Sequence, residues 1–281
     1  LYEVGLVQHT ADAAPDAHAR LLLDLAMCHA AVGEAAAATG RFDEAAALTA
    51  RVSVPDLRLR IFTEAARHAI GNRRYADAEQ LLRRGQPHAL AVVQPIEMVI
   101  FEETRARWLE ETGAPPEPIE VVLRRVVDLS RTSDRENHSL YLRRLGVAIG
   151  RQGKVDLMRP VFEEAIATAR SIRSVEEEVN STCDYGHMLN TNRLYAEANA
   201  QLQRAVAIWN EWDRPDLSAN SLRNWAVAHA NLAISYRGLR DIRSARLHYE
   251  RARLLYRRAG DQLGLERAAE LDEILRRLPG G

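Results

Sequence analysis

The segment NLAISYRGLRDIRSARLHYERARLLYRRA, residues 231–259, restricts the fold more than any other part of the chain. Its small and apolar residues recur at three- and four-residue intervals. Leu232, Ala233 and Tyr236 share one face of a first helix; Ala245, Tyr249 and Ala252 share one face of a second. That is the period of an α-helix, whereas a strand would alternate every second residue. The alanines let two backbones approach closely, and the tyrosine rings fill the space beside them. The product is an antiparallel pair of helices with one apolar side still uncovered. Such a pair needs a neighbour, so the rest of the chain should supply others like it.

It does. From Asp16, an expected N-cap, the alanine-rich run DAHARLLLDLAMCHAAVGEAAAATG reads as one helix closed by Gly40, with Phe42 and Ala45 opening its partner. After Val54-Pro55-Asp56 come LRLRIFTEAARHAIG and RRYADAEQLL, where Tyr75, Ala78 and Leu82 repeat the roles of Phe42, Ala45 and Thr49. Pro87 and Pro95 bracket a break. The third pair is joined by GAPPEP, and Val122 and Val126 stand where small residues belong, which predicts a splayed hairpin. The fourth has Leu142, Leu145, Gly146 and Ile149, a turn at Gly153, then Val155, Phe162 and Ala165. Pro160 is expected in the first turn of its helix, where a missing N–H costs nothing. The fifth runs from Glu176 through Tyr185, Gly186 and Leu189 to Tyr195, Ala198, Leu202 and Ala205. Residues 213–217 separate it from the sixth, with Trp209, Trp212 and Trp225 closing the junction as core.

The units therefore span about 16–53, 56–85, 96–130, 136–170, 176–212 and 217–259, with a last helix at 262–278. The small residue early in each second helix is Ala45, Ala78, Met158, Ala198 or Ala245, so five steps cover 200 residues, 40 per step. The pattern resembles the tetratricopeptide repeat, with Arg240 where that family's turn glycine is usual. Its length exceeds the roughly 34 residues of the standard motif. Stretched repeats of this kind look like the tetratricopeptide regions of bacterial ATP-dependent transcription activators and signalling ATPases. The resemblance covers nearly the whole chain. It implies an all-α fold, a right-handed α-solenoid of about six helical hairpins plus a C-terminal capping helix, as one domain over residues 1–281.

Composition narrows the function. The chain is 47% apolar and 27% charged, which suits a folded protein, and its formal charge of −1 gives no reason to expect nucleic acid or membrane as partner. No apolar run approaches the roughly 20 residues of a membrane span. Cys28 and Cys183 are too isolated to form a framework and read as two buried thiols of a cytoplasmic protein. The opening LYEVGLVQHT has no initiator methionine, as expected of a piece of a longer polypeptide. No metalloprotease, paired-cysteine, P-loop or nucleophile-elbow signature is present, so neither catalysis nor a metal or cofactor is expected.

The resemblance implies that the first helix of each pair lines a concave side. On the fourth unit this places Arg143, Arg144 and Arg151 there; on the fifth Asp184, His187 and Asn190; on the sixth Asn231 and Arg237. Asparagine amides both donate to and accept from a peptide backbone, and arginine clamps a carboxylate with two parallel bonds. Polar residues on an outward face are expected on any soluble helix, so the set counts for more than its members. The expectation is a non-catalytic protein- or peptide-recognition and sensing module of a larger bacterial regulatory or signalling protein. Its partner would lie along the groove and can be another domain of the same polypeptide. Two other readings stand beside it: a small-molecule inducer site at the third unit or the tryptophan cluster, and a self-associating scaffold.

Overall fold

The computed structural model describes residues 9–212 and 216–276, with side chains to residue 270. Among these residues there are thirteen α-helices, one 3-10 helix and no strand. Residues 213–215 of the expected separator and 277–278 of the expected last helix lie outside the described residues.

The chain is an all-α solenoid of six helical hairpins and a closing helix, and it divides into two compact units, Leu1–Arg135 and Glu136–Gly281. The first unit holds α1 (Pro15–Ala31) and α2 (Ala35–Leu48), α3 (Pro55–Gly71) and α4 (Tyr75–Gly85), the 3-10 helix Gln86–Ala91, then α5 (Pro95–Glu111) and α6 (Pro116–Ser133). The second holds α7 (His138–Gly150) and α8 (Val155–Ser171), α9 (Val175–Thr191) and α10 (Tyr195–Glu211), α11 (Ala219–Gly238) and α12 (Ile242–Arg258), closed by α13 (Gln262–Arg276).

One turn makes most of the hairpins. At Gly33, Arg73, Gly113, Arg193 and Arg240 the backbone enters the left-handed region, with φ between 57° and 83° across all such positions among the described residues. In these five hairpins the next residue's N–H returns to the carbonyl five positions back, at 2.8–2.9 Å. This satisfies a carbonyl that the helix end would leave bare. With Gly153, which also has positive φ, the turns fall at 33, 73, 113, 153, 193 and 240, so the period is 40 until the last step of 47. Pro15, Pro55 and Pro95 keep the same period in the first unit and open its three first helices. Proline suits that position because its φ is helical and its absent N–H has no partner there. The carboxylate following the first of these, Asp16, accepts the backbone N–H and hydroxyl of Ser53; Asp56 accepts the N–H groups of Val93 and Gln94 at 3.1 and 3.0 Å. The first two repeats are thereby each clipped to the loop that precedes the next.

Several expectations need correction. Gly40 does not close a helix: it lies inside α2, and the turn is at Gly33. Counted from the turns, the residue matching Ala78 is the fully buried Ala38, not Ala45, and the first step is 40 rather than 33. The third hairpin turns at Gly113 like the others, with Pro116 as the first residue of α6; in that register Pro118 and Arg125 occupy the small-residue places, not Val122 and Val126. Pro160 is the sixth residue of α8, beyond the first turn, so it removes one intrahelical bond while the helix continues. Asp16 lies within α1 rather than capping it, and Cys28 is exposed.

Where pairs approach most closely, glycine is required. A Cβ on Gly146 would lie 2.8 Å from the Phe162 ring, and one on Gly186 would lie 2.5 Å from Leu202 Cγ. The first helices of the second unit also pack on one another, α7 on α9 and α9 on α11. That packing builds the site.

Candidate functional site

A groove in the second unit is lined from α7, α9, α11, α12 and α13. Two adjoining cavities form it, sharing Asp184 and Val227. The first, about 350 Å³, is polar and includes Arg143, Glu177, Asn180, Asp184, Asn220 and Asn224 in its walls. The second, about 460 Å³, is mainly apolar, with Val227, Ile234, Tyr249, Tyr256 and Ala268 beside His187 and Asn231.

Helical spacing explains the polar lining. Glu177, Asn180, Asp184 and His187 follow one another at three or four residues along α9, and Asn220, Asn224, Val227, Asn231 and Ile234 do so along α11. The two stripes face across the groove. Arg143 crosses from α7 to α9, its Nη1 donating to Asp184 Oδ2 at 2.7 Å and its Nε lying 3.4 Å from Glu177 Oε2. Burial disfavours the Arg143 charge, but the two carboxylates outweigh it and its pKa rises. The guanidinium is thus a fixed cation in the floor of the polar cavity, tied to α9 rather than free to clamp a partner.

Deeper in the wall, α9 and α11 are joined by an amide network. Asn190 Nδ2 donates to the Asn231 carbonyl at 2.9 Å, and Asn190 Oδ1 accepts from the Ser235 hydroxyl at 2.9 Å. His187 Nδ1 lies 3.1 Å from Asn231 Oδ1, an acceptor, so that ring nitrogen is the donor. Asn231 Nδ2 makes a long contact of 4.0 Å with Cys183 Sγ. The Cys183 thiol is pushed up to about 12, first by burial and then by Asp184 beside it.

Of the residues expected to meet a partner, Arg143, Asp184, His187, Asn190 and Asn231 come together here. Arg143, Asp184, His187 and Asn231 line the groove, whereas Asn190 is buried in the α9–α11 contact, both ends of its amide bonded within the fold. Two steps of three residues from Asp184 turn the helix about 120° off the starting face, which carries Asn190 out of the groove and into the wall. Arg144, half-buried on α7, exposed Arg151 just beyond it, and Arg237 in the last turn of α11 are outside the groove lining. The sequence reading missed Asn180, Asn220 and Asn224. These three carboxamides make no hydrogen bond to any described residue. The recurrence of asparagine along two first helices at spacings of three and four was the signal that could have found them.

Fold and groove define the class: a tetratricopeptide-type α-solenoid whose second unit carries an asparagine-lined channel along its first helices. Several solved structures overlay on the chain. A signal transduction ATPase with numerous domains and a tetratricopeptide repeat sensor, from Pyrococcus horikoshii, matches 98% of this chain with TM-score 0.65 and 14% identity. This chain covers 48% of that one, about half its length. A Rap protein complexed with Competence and Sporulation Factor matches 98% of this chain and 79% of its own, with TM-score 0.55 and 13% identity. Bacillus thuringiensis PlcR, in complex with the peptide PapR7 and DNA, matches 79% and 75%, with TM-score 0.50 and 12% identity. At these identities the likeness is one of fold. No family model and no curated protein matches the sequence. Among the described residues no group of three His, Cys, Asp or Glu is placed to hold a metal ion, and no helix is long and apolar enough to cross a membrane.

Proposed function

We propose that the chain is a protein- or peptide-recognition and sensing module of a larger regulatory protein, and that its partner lies extended in the groove of the second unit. The observation that carries this reading is the set of uncommitted carboxamides, Asn180 from α9 with Asn220 and Asn224 from α11, around one polar cavity. An extended backbone offers alternating N–H and C=O groups that a carboxamide can pair in both directions. The side chains of the peptide follow from the rest of the lining. Glu176 and Glu177 favour a basic residue at the α7 end, because the Arg143 charge is already met by Glu177 and Asp184. The apolar cavity beyond Val227 takes an aliphatic or aromatic residue. The tetratricopeptide sensor of the Pyrococcus horikoshii structure and the peptide in the PlcR complex support the assignment by analogy of fold.

The test is selection of peptides from a random displayed library, followed by calorimetry on the best binder. Asn180→Ala with Asn224→Ala should weaken it about tenfold or more, the equivalent of one or two lost hydrogen bonds. Because neither side chain holds the fold together, the melting temperature should stay put. An unchanged Kd for the double variant would refute the groove as the site.

A further inference from the structure

The face of α11 turned away from the groove carries a further cavity, independent of the peptide reading. It has a volume of about 670 Å³, with Asn210 from α10, Trp225 and His229 from α11, and Arg251, Leu254, Leu255, Arg257 and Arg258 from α12. That size lies within the range of small-molecule sites.

Three observations give its chemistry. The first is a flat wall held in place. Trp225 stacks on Trp209 with centroids 6.2 Å apart and 17° between planes, and on His229 at 6.3 Å and 27°. His229 continues the row of rings onto His248 at 5.2 Å, which holds the indole in place. Beside it Leu254 is 53% exposed, a large apolar side chain left half-open to solvent. The second is unbalanced positive charge. Arg251, Arg257 and Arg258 form no ion pair with any described residue, and no carboxylate lines the cavity, although the adjacent Arg253 is paired with Glu250 at 3.1 Å. His229 adds no charge, since burial first, then His248 and Arg251, bring its pKa down to about 3. The third is an unmet polar group: the Trp225 side chain is 94% buried and its indole Nε1–H has no hydrogen-bond partner. A buried donor without an acceptor is costly, and native structures leave few of them.

We propose that this cavity binds a small ligand with a flat apolar body and an anionic head, the body lying along Trp225 and Leu254 and the head held by Arg251, Arg257 and Arg258. Carboxylate and phosphate share the recognition chemistry, because guanidinium meets either with paired charge-assisted bonds.

Four probes separate the contributions: 2-naphthoate, 1-naphthyl phosphate, the neutral 2-naphthol, and inorganic phosphate. Binding is read by calorimetry and by the indole N–H signal of Trp225, assigned with Trp225→Phe. Both naphthyl anions should saturate and move that signal, the tighter of them naming the head group. Naphthol and inorganic phosphate should each bind at least about tenfold more weakly, and Arg251→Gln with Arg258→Gln should cost the anions about tenfold or more. Both arginines are exposed and unpaired, so the variant keeps its fold. Asn180→Ala with Asn224→Ala should leave naphthyl binding unchanged, which separates this site from the groove. Naphthol binding as tightly as the anions, an arginine variant with full affinity, or no probe moving the Trp225 signal would each overturn the proposal.

Discussion

Replacing Asn190 by alanine should destabilise the protein by about 1–2 kcal/mol, the sum of two modest net hydrogen bonds. The figure follows from the bonds and from what their loss leaves behind. Asn190 gives one hydrogen bond to the Asn231 carbonyl and receives one from the Ser235 hydroxyl, both at 2.9 Å, in a site where it is 7% exposed. Alanine orphans no donor, because the Ser235 hydroxyl also reaches the Asn231 carbonyl at 3.2 Å. The cost is therefore held below that of a buried polar group left unpaired. Ser235→Ala removes the shared bond from the other side and should cost about 0.5–1.5 kcal/mol. Because the two residues share one bond, the double variant should cost less than the sum of the singles, by about 0.5 kcal/mol or more. Urea unfolding with a constant slope gives all three values. Singles within about 0.3 kcal/mol of wild type, or strict additivity, would refute the reasoning and return Asn190 to the set of residues available to a partner.

Three further outcomes are expected. Arg240 is exposed and held at φ 64°, so Arg240→Gly should gain about 0.5–1 kcal/mol by removing left-handed strain, seen as a raised melting temperature. Gly186→Ala should lose about 1–3 kcal/mol, since its Cβ meets the fully buried Leu202, 2.5 Å from Cγ; wild-type stability would mean the α9–α10 approach is looser than described. His229 is held neutral with a pKa of about 3, below the roughly 6.5 of an unfolded imidazole, so the unfolded chain binds more protons between these values. Stability should fall as pH drops through that window, and His229→Phe should lose less than wild type between about pH 7 and about pH 5.

Helix period, small residues and aromatics made the hairpins legible, because each hairpin must bury one face and the burial leaves a period in the sequence. The register of the first hairpin was misread for a physical reason. Gly40 resembles a helix stop, yet glycine is tolerated inside a helix that packs well, and the alanines around Gly33 hid the true turn. At Arg73 and Arg193 the hairpins were legible but the left-handed residue was not, since neither is glycine. In the site, Asp184 and His187 line the groove, but Asn190 belongs to the wall and Asn180 to the groove. Spacing groups Asn180 with Asp184 and sets Asn190 apart, but which of these faces meets α11 is a tertiary fact. The same holds for the cavity beside α12, whose walls come from three helices, α10, α11 and α12.

The central claim is that an extended peptide occupies the channel between α9 and α11. Hydrogen–deuterium exchange with and without a selected peptide tests it most directly, since the footprint requires no substitution. The account expects added protection in peptides covering α9 and α11 around Asn180, Asp184 and Asn224, with α10 unchanged. Protection confined to α10 and α12, or to the first unit, would contradict it.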